Sequence, residues 1–387
     1  MIKNLRKTLA KFDEFWYHIV MSMTRRERLM TVLAGQTPDR VPINLYELND
    51  NGQNPWNMTE PSYKKLMDVI LTKTEWMPFW GPGVKSATYK PTIVKNYDEG
   101  EFHVTVQTIP TPLGDLTTTT KYRDDIMTTW TTEPLLKNVE DVKKYLSLPS
   151  EIESVDASSH KVLDAYIGDR GVPLCDTPDP ICALASLFEM GEFTMFVLEE
   201  PELAREICER EFKRIMHILD ESLKQGSGPI YRIYGPEYAT PPYLPPRAFR
   251  EFVFPYIKEM AALMHSNGVY CRVHSHGNIA QVLDMIVEAG VDAIDPAEDR
   301  PDGDISMREI KEKYPNLVVF GNMQLKYLEQ ESESEIADRV KYMMDEAKEG
   351  GHYVLLPTAA PINIPLASVT ERNYITMIET ALEEGKY

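Results

Sequence analysis

The chain has 387 residues, 43% hydrophobic and 26% charged. These are the proportions of a globular protein with a sizeable core and exclude disordered and collagen-like classes. Its 41 Lys and Arg against 60 Asp and Glu leave a net charge of −19, so the long-range field repels nucleic-acid backbones and anionic membranes, and neither is expected as a partner. The length suits two ordinary domains or one barrel of about 250 residues with insertions.

In chain order, Lys3, Arg6, Lys7 and Lys11 alternate with Leu5, Leu9, Phe12 and Phe15, and Asp13 and Glu14 interrupt them. The segment reads as a surface helix rather than a signal peptide, with Met23 as an alternative start. Residues 24–33 read as an amphipathic helix with Thr24 as N-cap, Glu27 as its capping-box partner and Gly35 as the stop. An extended segment follows over 41–46. Period-two alternation over 90–121, broken at 98–100 and 112–114, predicts a β-hairpin or small antiparallel excursion.

From about residue 135 the pattern repeats as strand, loop and helix. Apolar strands are expected at 172–174, 230–234, 269–273, 293–294, 318–320 and 353–356. Helices are expected at 138–148, 181–197, 201–224, 247–267, 278–289, 305–314, 333–349 and 369–385. So many alternating units predict an α/β fold, a (β/α)8 TIM barrel over 41–387 carrying the excursion, preceded by a helical extension over 1–40. No nucleotide-binding glycine motif follows any strand. No run approaches about 18 apolar residues, and Cys175, Cys182, Cys208 and Cys271 lack C-x-x-C spacing. A cytoplasmic protein with reduced thiols is expected, and a homodimer is compatible with it.

In such a barrel the working residues lie just past the C-terminal strand ends. His274 and His276, two apart at one strand end, point to the same face, and two imidazoles there can converge on a divalent metal. A catalytic zinc takes three protein ligands, and Glu237, three residues past the preceding strand, is the first choice for the third, with Asp295 and Glu298 competing. Asn322 follows Gly321 at a strand end, where it can orient a substrate. Trp56, Trp76, Phe79 and Trp80 either wall a pocket for a flat ligand or pack a lid against the barrel.

The opening MTRRERLMTVLAGQTPDRVP, the strand-end RVHSHGN, the later LVVFGNMQ and the closing GGHYVLLPTAAPINIP resemble the uroporphyrinogen decarboxylase-like superfamily, and more narrowly its corrinoid-dependent methyltransferase branch. The segment INLYELNDNGQNPW lacks the arginines by which true decarboxylases hold a polycarboxylate. Methyltransferases using coenzyme M carry His-x-Cys and a distant Cys on zinc; His274, His276 and Thr358 stand at the matching positions here. The resemblance therefore implies a harder site, akin to zinc-dependent aromatic O-demethylases: Zn2+ on Glu237, His274 and His276, a methoxylated aromatic as methyl donor, and a corrinoid, methylcobalamin once loaded, carried by a partner protein. Glu298 or a water is the candidate acid, Asn322 orients, and Tyr46, Trp80, Tyr234 and Thr358 are the expected substrate contacts. Other donors or acceptors, such as methylamine, methanol or a thiol like coenzyme M, remain alternatives, as do a decarboxylase on the same barrel and a binding protein without chemistry.

Overall fold

In the computed structural model, which describes residues 23–87 and 93–387, the strands are β1 (Phe79–Trp80), β2 (Gly83–Ser86), β3 (Ile93–Glu99), β4 (Phe102–Ile109), β5 (Leu116–Arg123), β6 (Ile126–Glu133), β7 (Ile152–Asp156), β8 (Leu174–Pro178), β9 (Ile230–Tyr234), β10 (Tyr270–His274), β11 (Ala293–Asp295), β12 (Val318–Met323) and β13 (Tyr353–Pro357). The N-terminal surface helix expected before Met23 lies outside the described residues. Seven strands form one parallel sheet in the order β1-β8-β9-β10-β11-β12-β13. The expected strand at 41–46 is reduced to one parallel bridge, Ile43 to Leu355. It still works as a stave: Leu355 N–H donates to Pro42, Asn44 N–H to Leu355, and Glu75 N–H to Ile43. With residues 42–44 between β13 and the approach to β1, the curled sheet closes as an α/β barrel.

Strand alternation sorts side chains into two cores. One parity packs outward against the helices, as Cys175, Ile233, Val273, Val319 and Leu355 do. The other fills the barrel: Met77, Leu174, Ile230, Ala293, Val318, Phe320, Val354 and Leu356 form one apolar cluster with Leu29, Val32 and Leu33 of the helix Arg25–Leu33. That helix has the expected capping box between Thr24 and Glu27, and its apolar face plugs the bottom of the barrel.

Two expected helices are divided. Residues 181–197 become Pro180–Ala185 and Met190–Glu199, because Glu189 caps a new start by accepting from the Gly191 and Glu192 N–H groups. The helix expected at 247–267 breaks at Val253, since Pro255 in the first turn of Phe254–Ser266 has no N–H and crowds the preceding turn. The antiparallel excursion extends past 121 to Glu133 as the four-stranded meander β3-β4-β5-β6. Among the described residues no helix is long and apolar enough to cross a membrane.

Closure rests on one buried carboxylate. Glu75 is fully buried; its Oε1 accepts from Arg28 Nη1 at 2.6 Å and Arg40 Nη2 at 2.7 Å, and its Oε2 from the Ile43 N–H at 2.7 Å. It thus ties the plug helix, the 42–44 stave and the approach to β1 together. Glu75→Ala leaves Arg40 without its carboxylate partner and Arg28 with Asp39 alone, and we expect it to lower the unfolding free energy by about 3 kcal/mol in urea denaturation; an unchanged midpoint would contradict this account of closure.

Candidate functional site

Toward the C-terminal strand ends the inward parity changes from apolar to polar. Asp176, Arg232, Arg272, His274, Asp295, Asn322 and Thr358 continue the rows that begin with Leu174, Ile230, Ala293, Val318 and Val354. Arg232 pairs bidentately with Asp176, at 2.8 and 3.0 Å, and donates from Nη1 to the Tyr46 hydroxyl at 2.9 Å. Directly opposite Arg232 on the neighbouring strand, Arg272 donates from Nε to Asp295 Oδ1 at 2.6 Å, and its guanidinium lies over the Phe320 ring at 4.1 Å. Charges this deep persist because each has its counter-ion beside it.

Asp295 is the hub of this layer. It is 1% exposed, and its second oxygen accepts from His274 Nδ1 at 2.7 Å. Burial would raise its pKa, but Arg272 and His274 overcome that and hold the carboxyl far below the usual range. With Nδ1 committed, His274 keeps Nε2 without a hydrogen-bond partner among the described residues, and its ring stacks on Tyr46 with centroids 5.8 Å apart. A carboxylate behind a histidine is the arrangement that orients metal-binding imidazoles.

The strand ends at His274, so His276 lies in the following loop and the shared-face argument fails. The rings nonetheless meet edge to face at 4.7 Å. His276 Nδ1 lies 3.3 Å from Glu298 Oε1. Burial opposes a charge on His276, yet Glu298, Glu237 and Asp295 outweigh it and raise its pKa. Glu298 accepts from the Gly277 N–H at 2.7 Å and from Gln324 Nε2 at 2.9 Å. Despite burial, these donors and His276 hold its carboxyl below the usual value. These contacts favour the ionised form of Glu298. Thr358, buried beside it, donates to Gln324 Oε1 at 3.1 Å, which completes a chain from Thr358 through Gln324 and Glu298 to His276.

Glu237 sits in the single turn Pro236–Ala239 after β9, and its Oε2 is buried without a hydrogen-bond partner. Burial raises its pKa against the pull of His274 and His276. The turn depends on Gly235, at φ +105°, where a Cβ would lie 2.1 Å from that of Cys182. Asp179, fully buried, caps the helix Pro180–Ala185 through Cys182 N–H at 2.8 Å, and its other oxygen also lacks a partner. Among the described residues, no three His, Cys, Asp or Glu side chains converge closely enough, as they stand, to hold a metal ion.

The remaining expected contacts divide. Tyr46 and Tyr234 belong to the mouth, and burial pushes the Tyr234 hydroxyl up to about 12. Asn322 is buried and donates to the Ala297 carbonyl at 2.9 Å. Trp80 is not gathered with them; it faces the outer core, donating from Nε1 to Ser159 at 3.0 Å. Trp56 packs on Tyr63, and Trp76 is buried under Arg170. The sequence reading missed Asp176, Arg232, Arg272 and Gln324. Its available signal was a charge inside the apolar runs YRIY and VYCRVH, two residues before a strand end.

Asp295→Asn leaves Arg272 buried without its counter-charge, and we expect it to cost about 3–5 kcal/mol at pH 7. Because the folded pKa is depressed, this stability is present above the unfolded value of about 3.9 and is lost as pH falls below it. The gap between wild type and variant in urea denaturation should therefore narrow toward pH 3 to 4; a pH-independent gap would refute the pairing as its source.

The uroporphyrinogen decarboxylase (URO-D) family pattern matches residues 134–371. No curated protein matches the chain in sequence. Among solved structures, a methyltransferase from Methanosarcina mazei is similar at a TM-score of 0.58 and 16% identity, over 94% of this chain and 99% of that one, which is a likeness of fold. A D-psicose 3-epimerase from Clostridium cellulolyticum matches at a TM-score of 0.35 and 9% identity, over 59% of this chain and 82% of its own. The pattern spans more than half of the residues, including β8 to β13 and the layer around Asp295, and the chain belongs to the uroporphyrinogen decarboxylase family.

Proposed function

We propose that the chain is a methyltransferase that demethylates a methoxylated aromatic: the methyl carbon leaves the ether oxygen for Co(I) of a corrinoid on a partner protein, and the phenolate left behind takes a proton. The observation that carries the metal part of the reading is His274, fixed through Nδ1 by buried Asp295 with Nε2 bare at the mouth. The likeness in fold to the archaeal methyltransferase supports the reaction class, and the family membership supports the barrel mouth as the place.

The donor set suits zinc in kind: His274 Nε2, the unpartnered Glu237 Oε2 and His276. Bringing the three onto one ion takes a turn of His276 away from Glu298, which the partly exposed side chain of His276 allows. Zinc bound there would supply Lewis acidity at the ether oxygen, since imidazoles and one carboxylate leave the ion a stronger acid than thiolates would. Tyr46, stacked on His274 and held by Arg232, offers an aromatic face beside the reacting centre. Glu298 accepts from the Gly277 N–H and Gln324 and so anchors that loop, and Glu298 or a water at the mouth supplies the proton for the phenolate.

On this reading, purified protein carries about one zinc per chain, and His274→Ala and Glu237→Gln lose both the metal and the transfer of methyl from 2-methoxyphenol to cob(I)alamin. Asp295→Asn, which removes the carboxylate behind His274 along with the counter-charge of Arg272, should weaken zinc binding by about 10–100-fold in the protein that remains folded. Elemental analysis beside turnover checks all three; full turnover in a metal-free His274→Ala protein would overturn the assignment.

A further inference from the structure

Beside the polar mouth, the end of β1 opens on a second cavity of about 420 Å3, set between residues 51–53, residues 79–81 and the helix Ser158–Ile167. Phe79, Trp80, Tyr166, Val162 and Leu163 supply its apolar walls, and Asn51, Gln53 and Ser159 add neutral polar groups. Among the described residues no charged side chain lines it, although 26% of the chain is charged. The rings are held in place. Trp80 is pinned through Nε1 to Ser159 and meets the edge of His160 at 5.0 Å. Tyr166 donates to Asp50 at 2.5 Å and lies under the Arg170 guanidinium, 4.8 Å from its ring.

We propose that this cavity binds the ring of a neutral aromatic ligand. Three fixed aromatic faces supply large rigid apolar area to a flat guest, whereas an ionic ligand would lose its hydration without gaining a counter-charge. The volume is in the range of small-molecule sites and holds one or two rings. Phe79 is the wall shared with the mouth: its ring meets Tyr46 edge-on at 5.7 Å, and Tyr46 stacks on His274. The cavity and the mouth are thus neighbours on either side of Phe79. The inference deepens the reading above by giving the donor's ring a place, and it rests on that reading only for the choice of probe.

Gly81 provides the test, because a Cβ there meets nothing within 4 Å and its backbone is not left-handed. Gly81 lines the cavity and has open space at its Cβ, so Gly81→Leu adds bulk at one wall, and Val162→Trp, at a residue 72% exposed, adds it at another. Wild type, both variants and His274→Ala are titrated by calorimetry with 2-methoxyphenol and with phenol. Both ligands should bind wild type, weaken about tenfold or more in Gly81→Leu and Val162→Trp, and change less than about twofold in His274→Ala. Unchanged binding in both cavity variants, loss confined to His274→Ala, or no binding to wild type would each overturn the proposal. Phenol binding that is blocked by Gly81→Leu, in a protein that transfers no methyl group, would uphold the cavity and strike only the functional reading.

Discussion

Asp295 can sit 1% exposed inside a barrel only because Arg272 and His274 both donate to it. This one carboxylate decides how much of the upper barrel is arranged. It neutralises a guanidinium that has no route to solvent, fixes which nitrogen of His274 is committed to the protein, and so determines what the ring offers to the mouth. Arg232 repeats the device one strand away with Asp176 and gives a further N–H to Tyr46, which in turn stacks on His274. The two arginines are nearest neighbours in the β9–β10 register, so each needs its own acid to be tolerated beside the other.

The bottom of the barrel uses the same chemistry for a different purpose. Glu75 gathers Arg28, Arg40 and the Ile43 N–H, all of its acceptor capacity goes to holding chain segments together, and the apolar layer above it is sealed by the plug helix. At the top the polar groups are left with something to offer: a bare His274 Nε2, an unpartnered Glu237 oxygen, and His276 held only by Glu298. The contrast separates closure from chemistry along one axis, as expected of barrels whose loops at the C-terminal strand ends do the work.

Much of this was legible in the sequence for identifiable reasons. β9 to β13 read as short apolar runs because both faces of a parallel strand are covered, and His274, Glu237 and Asn322 were found because strand ends are informative positions in this architecture. What failed was also physical. The stave at 42–44 makes too few ladder bonds to look like a strand, and β1 has only two residues. Pro255 and Glu189 broke helices whose apolar spacing continued through them. His276 was placed on a strand face, but the strand stops two residues earlier. Arg272 and Arg232 passed as incidental polar residues in core strands, since partners distant in sequence, Asp295 and Asp176, are what make them possible. The aromatic run around Trp80 allowed a pocket wall or a packed lid, and the structure divides it: Trp76 is packed away, whereas Phe79 and Trp80 line a cavity.

The central claim is that the barrel mouth moves a methyl group from an aryl ether to a corrinoid. The most direct measurement is an anaerobic incubation of the protein with cob(I)alamin and 2-methoxyphenol labelled with 13C in its methyl group, followed by NMR. The account predicts labelled methylcobalamin and catechol appearing together, in equal amounts, only when protein and corrinoid are both present. Catechol formed at the same rate without corrinoid, or an ether left intact beside reduced corrinoid, would contradict it.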